Sequence, residues 1–290
     1  MVKEVLKPFG SLDCLYYYGK VARYVEKFLK GREIATKTIL KDFFFLKRGS
    51  NSQPLFIEDL REVDEKMLKL RVENGLKDVE NQLNGKQALI WRYFVPRKIM
   101  DFFYACNGEK PGKPIDRIFI DIDRQNNSSD DARKVALSLV KQIKSDKEFN
   151  KLLKYKMFIL WTGSSFHIYL LLQRKINLAF YSKYLSYGEK KPDSFIVKWA
   201  SAIEKETGIK VKAGHEKVKG AIILDSSNTP SGKLARAPFS LHTKGYNEID
   251  GVAVPLSEKQ LSDKNLASRL KKLTPETVLK NLNSYAKLLP

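Results

Sequence analysis

Cysteine is nearly missing from this chain. Its 290 residues include two, Cys14 and Cys106. That is too few for a disulfide framework or a four-ligand zinc site, and a reducing cytoplasm is the expected setting. Histidine is almost as scarce, with three residues. A metal centre built from imidazoles is therefore out of reach, and any metal falls to carboxylates, which select hard ions such as Mg2+ or Mn2+. Long apolar runs are absent too. Nothing approaches the roughly 20 residues that a membrane span requires, and the opening MVKEVLK lacks the hydrophobic stretch of a signal peptide. No membrane partner is expected. Acidic residues are outnumbered, 33 against 53 Lys and Arg, for a formal charge of +20. A surplus of that size marks a polyanion partner, and nucleic acid is the commonest polyanion. No internal repeat or low-complexity linker divides the chain. With 43% hydrophobic residues, it can bury a core as one large domain or two intimate subdomains.

Against these absences one stretch stands out, Ile115-Asp-Arg-Ile-Phe-Ile-Asp-Ile-Asp123. Its apolar residues Ile118, Phe119, Ile120 and Ile122 predict a buried strand, and it ends on two carboxylates one residue apart. Strand side chains alternate between faces, so Asp121 and Asp123 share a side that Ile122 does not. Two such carboxylates repel unless a cation lies between them, and a divalent metal is the simplest cation. The plainer reading is one solvated Asp and one Asp capping the helix that starts near Ser128.

The rest reads as alternating helices and strands. Leu12 to Leu29 has helical spacing in Leu15, Val21, Val25 and Phe28, and Gly31 ends it. Arg32 to Thr38 and Leu40 to Lys47 read as strands. The second carries Phe43, Phe44 and Phe45, an aromatic run expected in the core rather than as a base-stacking platform. Phe56 to Val72 reads as a helix with a solvated acidic face, and Ala88 to Val95 as a strand. A turn-rich connector, Asn107 to Pro114, leads into the Asp121 strand. Ser128 and Ser129 cap a helix reaching about Ile143, with Val135, Leu139 and Val140 inward. Met157 to Trp161 and Phe166 to Leu172 form a hairpin around Thr162-Gly163-Ser164. Helices follow at Asn177 to Tyr187 and Ser194 to Lys205, then a short buried strand, Ala221 to Leu224, with Asp225 at its end. The Lys-rich tail from Ser257 is helical and broken near Pro275.

Three acids thus stand at strand ends, Asp121, Asp123 and Asp225. A third carboxylate is what a two-metal site lacks when only a pair is present. Between them, Thr162, Gly163, Ser164, Ser165 and His167 form a tight hairpin whose backbone N–H groups can face an anion. Later, Lys233, Arg236 and Lys244 bracket Ser240 and His242. The plain alternatives are a strand histidine bonded to backbone for His167 and ordinary basic surface for the three cations.

Taken in order, Asp121-Ile-Asp123, Ser165-Phe-His167 and Leu224-Asp225 match the DhD, SxH and hD motifs of the archaeo-eukaryotic primase superfamily. The chain resembles a primase small subunit or, more closely, the polymerase domain of end-joining ligases and their stand-alone archaeal relatives. Asp225-Ser-Ser-Asn228, Arg236-Ala-Pro-Phe-Ser-Leu-His-Thr-Lys244 and Val252-Ala-Val-Pro-Leu256 are similar to the segment that follows hD. The resemblance spans about Arg32 to Leu256. It implies an α/β (α+β) fold, the archaeo-eukaryotic primase catalytic fold with an RRM-like module in residues 111–256, an N-terminal αβ lobe in 1–110 and a helical tail in 257–290. It further implies that Asp121, Asp123 and Asp225 are the metal-binding catalytic acids. Ser165 and His167 would contact the triphosphate of the incoming nucleotide, with Arg236 and Lys244 in the same pocket. Two departures are visible. Cys14 and Cys106 cannot build the zinc knuckle usual in replicative small subunits, and Thr162-Gly-Ser-Ser-Phe-His167 stands where Ser-Gly-x-Gly-x-His is frequent.

The expected function is accordingly a DNA-dependent primase or polymerase. It would use Mg2+ or Mn2+ and NTP or dNTP on single-stranded or primer-template DNA, in priming or repair synthesis, with replication or end-joining proteins as further partners. Two alternatives compete with it. One is a primase-like accessory subunit that binds nucleic acid without catalysis; the other is a metal-dependent nuclease. The full acid triad speaks against the first and the triphosphate-suited hairpin against the second.

Overall fold

The first helix, Cys14–Leu29, begins where the Asp13 carboxylate accepts the backbone N–H groups of Leu15 (2.8 Å) and Tyr16 (3.3 Å). In this computed structural model, which describes residues 13–73, 76–94, 100–188, 191, 194–243 and 248–290, the helix buries Leu15, Tyr18, Val21, Val25 and Leu29, one stripe at helical spacing. That stripe covers a sheet, with Tyr18 stacked on Phe102 at 4.6 Å.

The strands in chain order are β1 (Ile34–Ile39), β2 (Phe44–Lys47), β3 (Met100–Ala105), β4 (Ile115–Asp123), β5 (Tyr155–Trp161) and β6 (Phe166–Ile176). There follow β7 (Val211–Ala213), β8 (Ile222–Asp225), β9 (Leu234–Arg236), β10 (Leu241–Thr243), β11 (Ile249–Val252) and β12 (Val254–Leu256). They assemble into a four-stranded sheet, β2-β1-β3-β9, a six-stranded sheet, β12-β5-β6-β4-β8-β7, and the β10-β11 pair. Every pairing is antiparallel except β7 with β8. The first sheet takes its last strand, β9, from beyond β8, and the tail helices Pro275–Lys280 and Leu282–Ala286 pack back on Cys14–Leu29. Both halves of the chain therefore build the first sheet and the helices packed on it.

Strand β4 sits at the junction. Its Arg117 guanidinium lies 4.5 Å from the Phe28 ring and 5.5 Å from the Tyr104 ring, and its Phe119 packs on Tyr169 at 5.0 Å. Arg117 thus meets the first helix and β3 of the four-stranded sheet. Ile118, Ile120 and Ile122, all fully buried, point the other way, to the side covered by the helix Ser129–Ser145. That helix starts as the sequence predicts, with the Ser128 hydroxyl accepting the Asp131 N–H at 3.0 Å.

Two expectations are corrected. Of residues 88–95, read as a strand, 88–93 belong to the helix Gly85–Tyr93 and Phe94 is its C-cap. Asn84 caps it by accepting the Gln87 N–H at 2.8 Å, and a short apolar run cannot by itself distinguish the two structures. The Phe43, Phe44 and Phe45 run lies outside the core, 64%, 58% and 42% exposed. β2 is the edge strand of its sheet, and the Lys37 and Lys47 ammonium groups stand 4.5 Å and 5.7 Å from the Phe44 and Phe45 rings.

Candidate active site

Antiparallel register decides which side chains meet. Asp121 of β4 is the direct partner of His167 on β6 and of Asp225 on β8. Partners in such a ladder leave the sheet on one face, so His167, Asp121 and Asp225 form a row across three strands. Asp123, two positions along, shares that face.

Each carboxylate already has a protein donor. His167 Nε2 lies 3.1 Å from Asp121 Oδ1, while the His167 ring stands edge-on to Phe119 at 4.8 Å and its Nδ1 is 3.5 Å from the Tyr169 hydroxyl. Asp123 accepts from the Gln125 backbone N–H (3.0 Å) and from its side-chain amide (2.7 Å). Asp225 Oδ1 accepts from the Tyr187 hydroxyl (2.9 Å) and the Ser227 N–H (2.7 Å). Burial, helped by the charge of Asp225, pushes the Tyr187 hydroxyl well above its ordinary range, against a hydrogen bond from Ser227 that lowers it. It therefore stays a neutral donor. Among the described residues no three His, Cys, Asp or Glu side chains converge tightly enough to hold one metal ion. The donor chemistry nevertheless suits a hard divalent cation, because three carboxylates share one face and Asp121 and Asp225 each keep Oδ2 free of any hydrogen bond within the described residues.

The 162–165 turn closes on itself, the Thr162 N–H bonding the Ser165 carbonyl (2.9 Å) and the Ser165 N–H the Thr162 hydroxyl (3.0 Å). The Ser165 hydroxyl donates to the Ile122 carbonyl, which fastens the turn to β4. Arg236 enters from β9 of the four-stranded sheet. Its guanidinium lies over Phe103 at 5.0 Å, donates to the Leu241 carbonyl at 3.0 Å and pairs with Asp101 at 3.1 Å.

A cleft of about 200 Å³ brings Asp121, Asp123, Ser165, His167 and Arg236 together. Asp225 flanks it across β8, and Lys244 lies outside the described residues. The cleft also contains groups that sequence reading did not assign. Arg124 donates to the Ser164 carbonyl at 3.1 Å, and His242 is held between Ser164 and Asp250. Asp101, which anchors Arg236, had one faint signal, a lone acid in the apolar run Met100-Asp-Phe-Phe-Tyr104.

No protein-family model matches the chain, and no characterised protein matches it in sequence. Among solved structures it is similar to the polymerase domain of Mycobacterium tuberculosis Ligase D in complex with DNA. The TM-score is 0.58 at 16% identity, over 95% of this chain and 92% of that one. The chain thus has the mixed α/β, primase-like fold of that polymerase domain.

Proposed function

We propose that this protein is a DNA-dependent nucleotidyltransferase, a primase or polymerase that joins nucleoside triphosphates along single-stranded or primer-template DNA. One observation carries the reading: Asp121 stands in register with both Asp225 and His167, with Asp123 two residues on, in a chain with this fold. Asp121, Asp123 and Asp225 would hold Mg2+ or Mn2+, ions that when bound activate a hydroxyl and neutralise a pyrophosphate leaving group.

The chain's own side chains would bind and orient. His167, fixed by Asp121, Phe119 and Tyr169, presents Nε2 at the carboxylate row. Arg236 brings a permanent positive charge to the cleft, where a triphosphate needs one. The reaction is in-line attack of a 3′-hydroxyl on the α-phosphate; the new O–P bond forms as pyrophosphate departs, with no covalent intermediate on the protein. Polyanion binding draws on the +20 charge. Exposed Phe43, Phe44 and Phe45, with Lys37 and Lys47 over two of the rings, offer faces on which unpaired bases stack.

The alternative is a primase-like subunit that binds DNA without catalysis, favoured by the way each acid is turned onto a protein donor. Incubation with Mn2+ or Mg2+, labelled nucleotides and either a bare single strand or a primed template separates the two. Extension of the primed strand supports repair-type synthesis, and products on the bare strand support priming. DNA binding with no product on either template selects the accessory subunit.

A further inference from the structure

His242, on β10, has both ring nitrogens engaged. Nδ1 hydrogen-bonds the Asp250 carboxylate across the β10-β11 pair, and Nε2 lies 3.3 Å from the Ser164 hydroxyl. A carboxylate only accepts, so Nδ1 carries a proton and the ring's orientation is set by Asp250.

The strand segment that carries the ring is also held in place. Gly163, at φ 105°, brings the 162–165 turn against it, and a Cβ at that position would stand 2.4 Å from the His242 Cβ. A Cβ on Gly251 would stand 2.5 Å from the Gly163 carbonyl oxygen. On the other side Asp101 accepts both the Thr243 N–H (3.0 Å) and its hydroxyl (2.8 Å), next to the register shift between His242 and Thr243. Yet the pair is not a core contact, since the His242 and Asp250 side chains keep 23% and 28% of their exposure. His242 and Ser164 open onto the cleft that holds Arg236 and Asp121. A ring fixed from behind and open in front is the arrangement of a preorganised donor for an anion.

We propose that Asp250 is a positioning residue. It holds His242 with Nε2 turned into the cleft, so that the ring, as an imidazolium with a proton on each nitrogen, and the Ser164 hydroxyl together donate to phosphate oxygens of the incoming nucleoside triphosphate. The inference rests on the nucleotidyl-transfer reading of this cleft and deepens it. The competing role is purely structural, with Asp250 pinning β11 to β10 and nothing more.

Asp250→Ala, Asp250→Asn, His242→Ala and the Asp250→Ala/His242→Ala double variant distinguish these roles. Three measurements are compared: nucleotide dependence of primer extension, calorimetric binding of inorganic tripolyphosphate without DNA, and thermal unfolding. Asp250→Ala should raise the nucleotide KM about tenfold with a much smaller change in kcat, the scale on which orienting partners act. Tripolyphosphate affinity should fall by a similar factor. Asp250→Asn keeps an acceptor for the Nδ1 proton and should lie between wild type and Ala. The double variant should bind no worse than His242→Ala alone, because Asp250 acts through that ring.

Additive losses in the double variant would overturn the proposal. So would an Asp250→Asn protein that unfolds at lower temperature yet binds tripolyphosphate like wild type, or a wild-type protein that does not bind tripolyphosphate. The polymerase reading fails separately. Tripolyphosphate binding that depends on Asp250, in a protein that extends no primer, would keep the anion site and remove the nucleotidyl transfer.

Discussion

Asp121 and Asp225 face each other across the antiparallel β4-β8 pair, two like charges at directly opposite positions. Such a pair opposes strand association, because the Cβ atoms of opposed residues lie only about 5 Å apart. The fold answers by giving each acid its own donor, His167 for Asp121 and Tyr187 for Asp225. The arrangement is costly for a sheet and useful for a cation.

Asp121→Ala, Asp123→Ala and Asp225→Ala are each expected to abolish primer extension while leaving DNA affinity equal or higher, since a repelling charge is lost. The two opposed acids should also unfold no earlier once one is removed. Extension assays, filter binding and thermal unfolding on the same preparations test this. Full activity in Asp121→Ala would sink the polymerase assignment.

Arg236→Ala should affect stability as well as nucleotide affinity. It leaves Asp101, whose side chain is 5% exposed, with a buried charge whose remaining partner is Thr243. The expected cost in urea unfolding is on the order of 3 kcal/mol. Removing Asp101 in the same protein should return part of that stability without returning nucleotide affinity.

Gly163→Ala combines a positive φ with overlap against His242. About 1–3 kcal/mol of strain is expected from the backbone alone, and the displaced ring should raise the nucleotide KM. A thermal midpoint equal to wild type would mean that the turn relaxes freely.

Affinity for a single strand or primer-template should fall linearly in log salt. Contact with six or more phosphates implies a loss on the order of 10³ between about 50 and 200 mM. Salt-independent binding would show that the basic surplus is not the contact surface.

The start of the helix Ser129–Ser145 predicts a pH dependence. The hydrogen bond from Arg133 holds Asp130 below the usual carboxylate range, and that from Ser128 does the same for Asp131. Carboxylates with lowered folded-state pKa contribute stability above their unfolded pKa, about 3.9, and lose it as pH falls through the folded values. The thermal midpoint should therefore decline below roughly pH 4, and Asp131→Asn should flatten that decline. An unchanged slope would assign the acid sensitivity to other carboxylates.

Some features needed only neighbouring residues to be read. The shared face of Asp121 and Asp123 follows from the two-residue period of a strand. The helix after Ser128 follows from a cap and a 3.6-residue stripe, and the 155–161 and 166–176 hairpin from two apolar runs around a glycine turn. Each is settled by atoms a few positions apart.

Other features were decided only by long-range packing. That Asp225 stands opposite Asp121, that β9 crosses to the first sheet and carries Arg236 to Asp101, and that His242 meets Ser164 and Asp250 all join segments distant in the chain. No local pattern encodes such pairings, because strand register depends on which faces are buried together in the assembled sheet. The exposure of Phe43, Phe44 and Phe45 has the same origin. The run predicts a strand from residue type alone, but only the final sheet order makes that strand an edge, where its aromatic faces are left exposed.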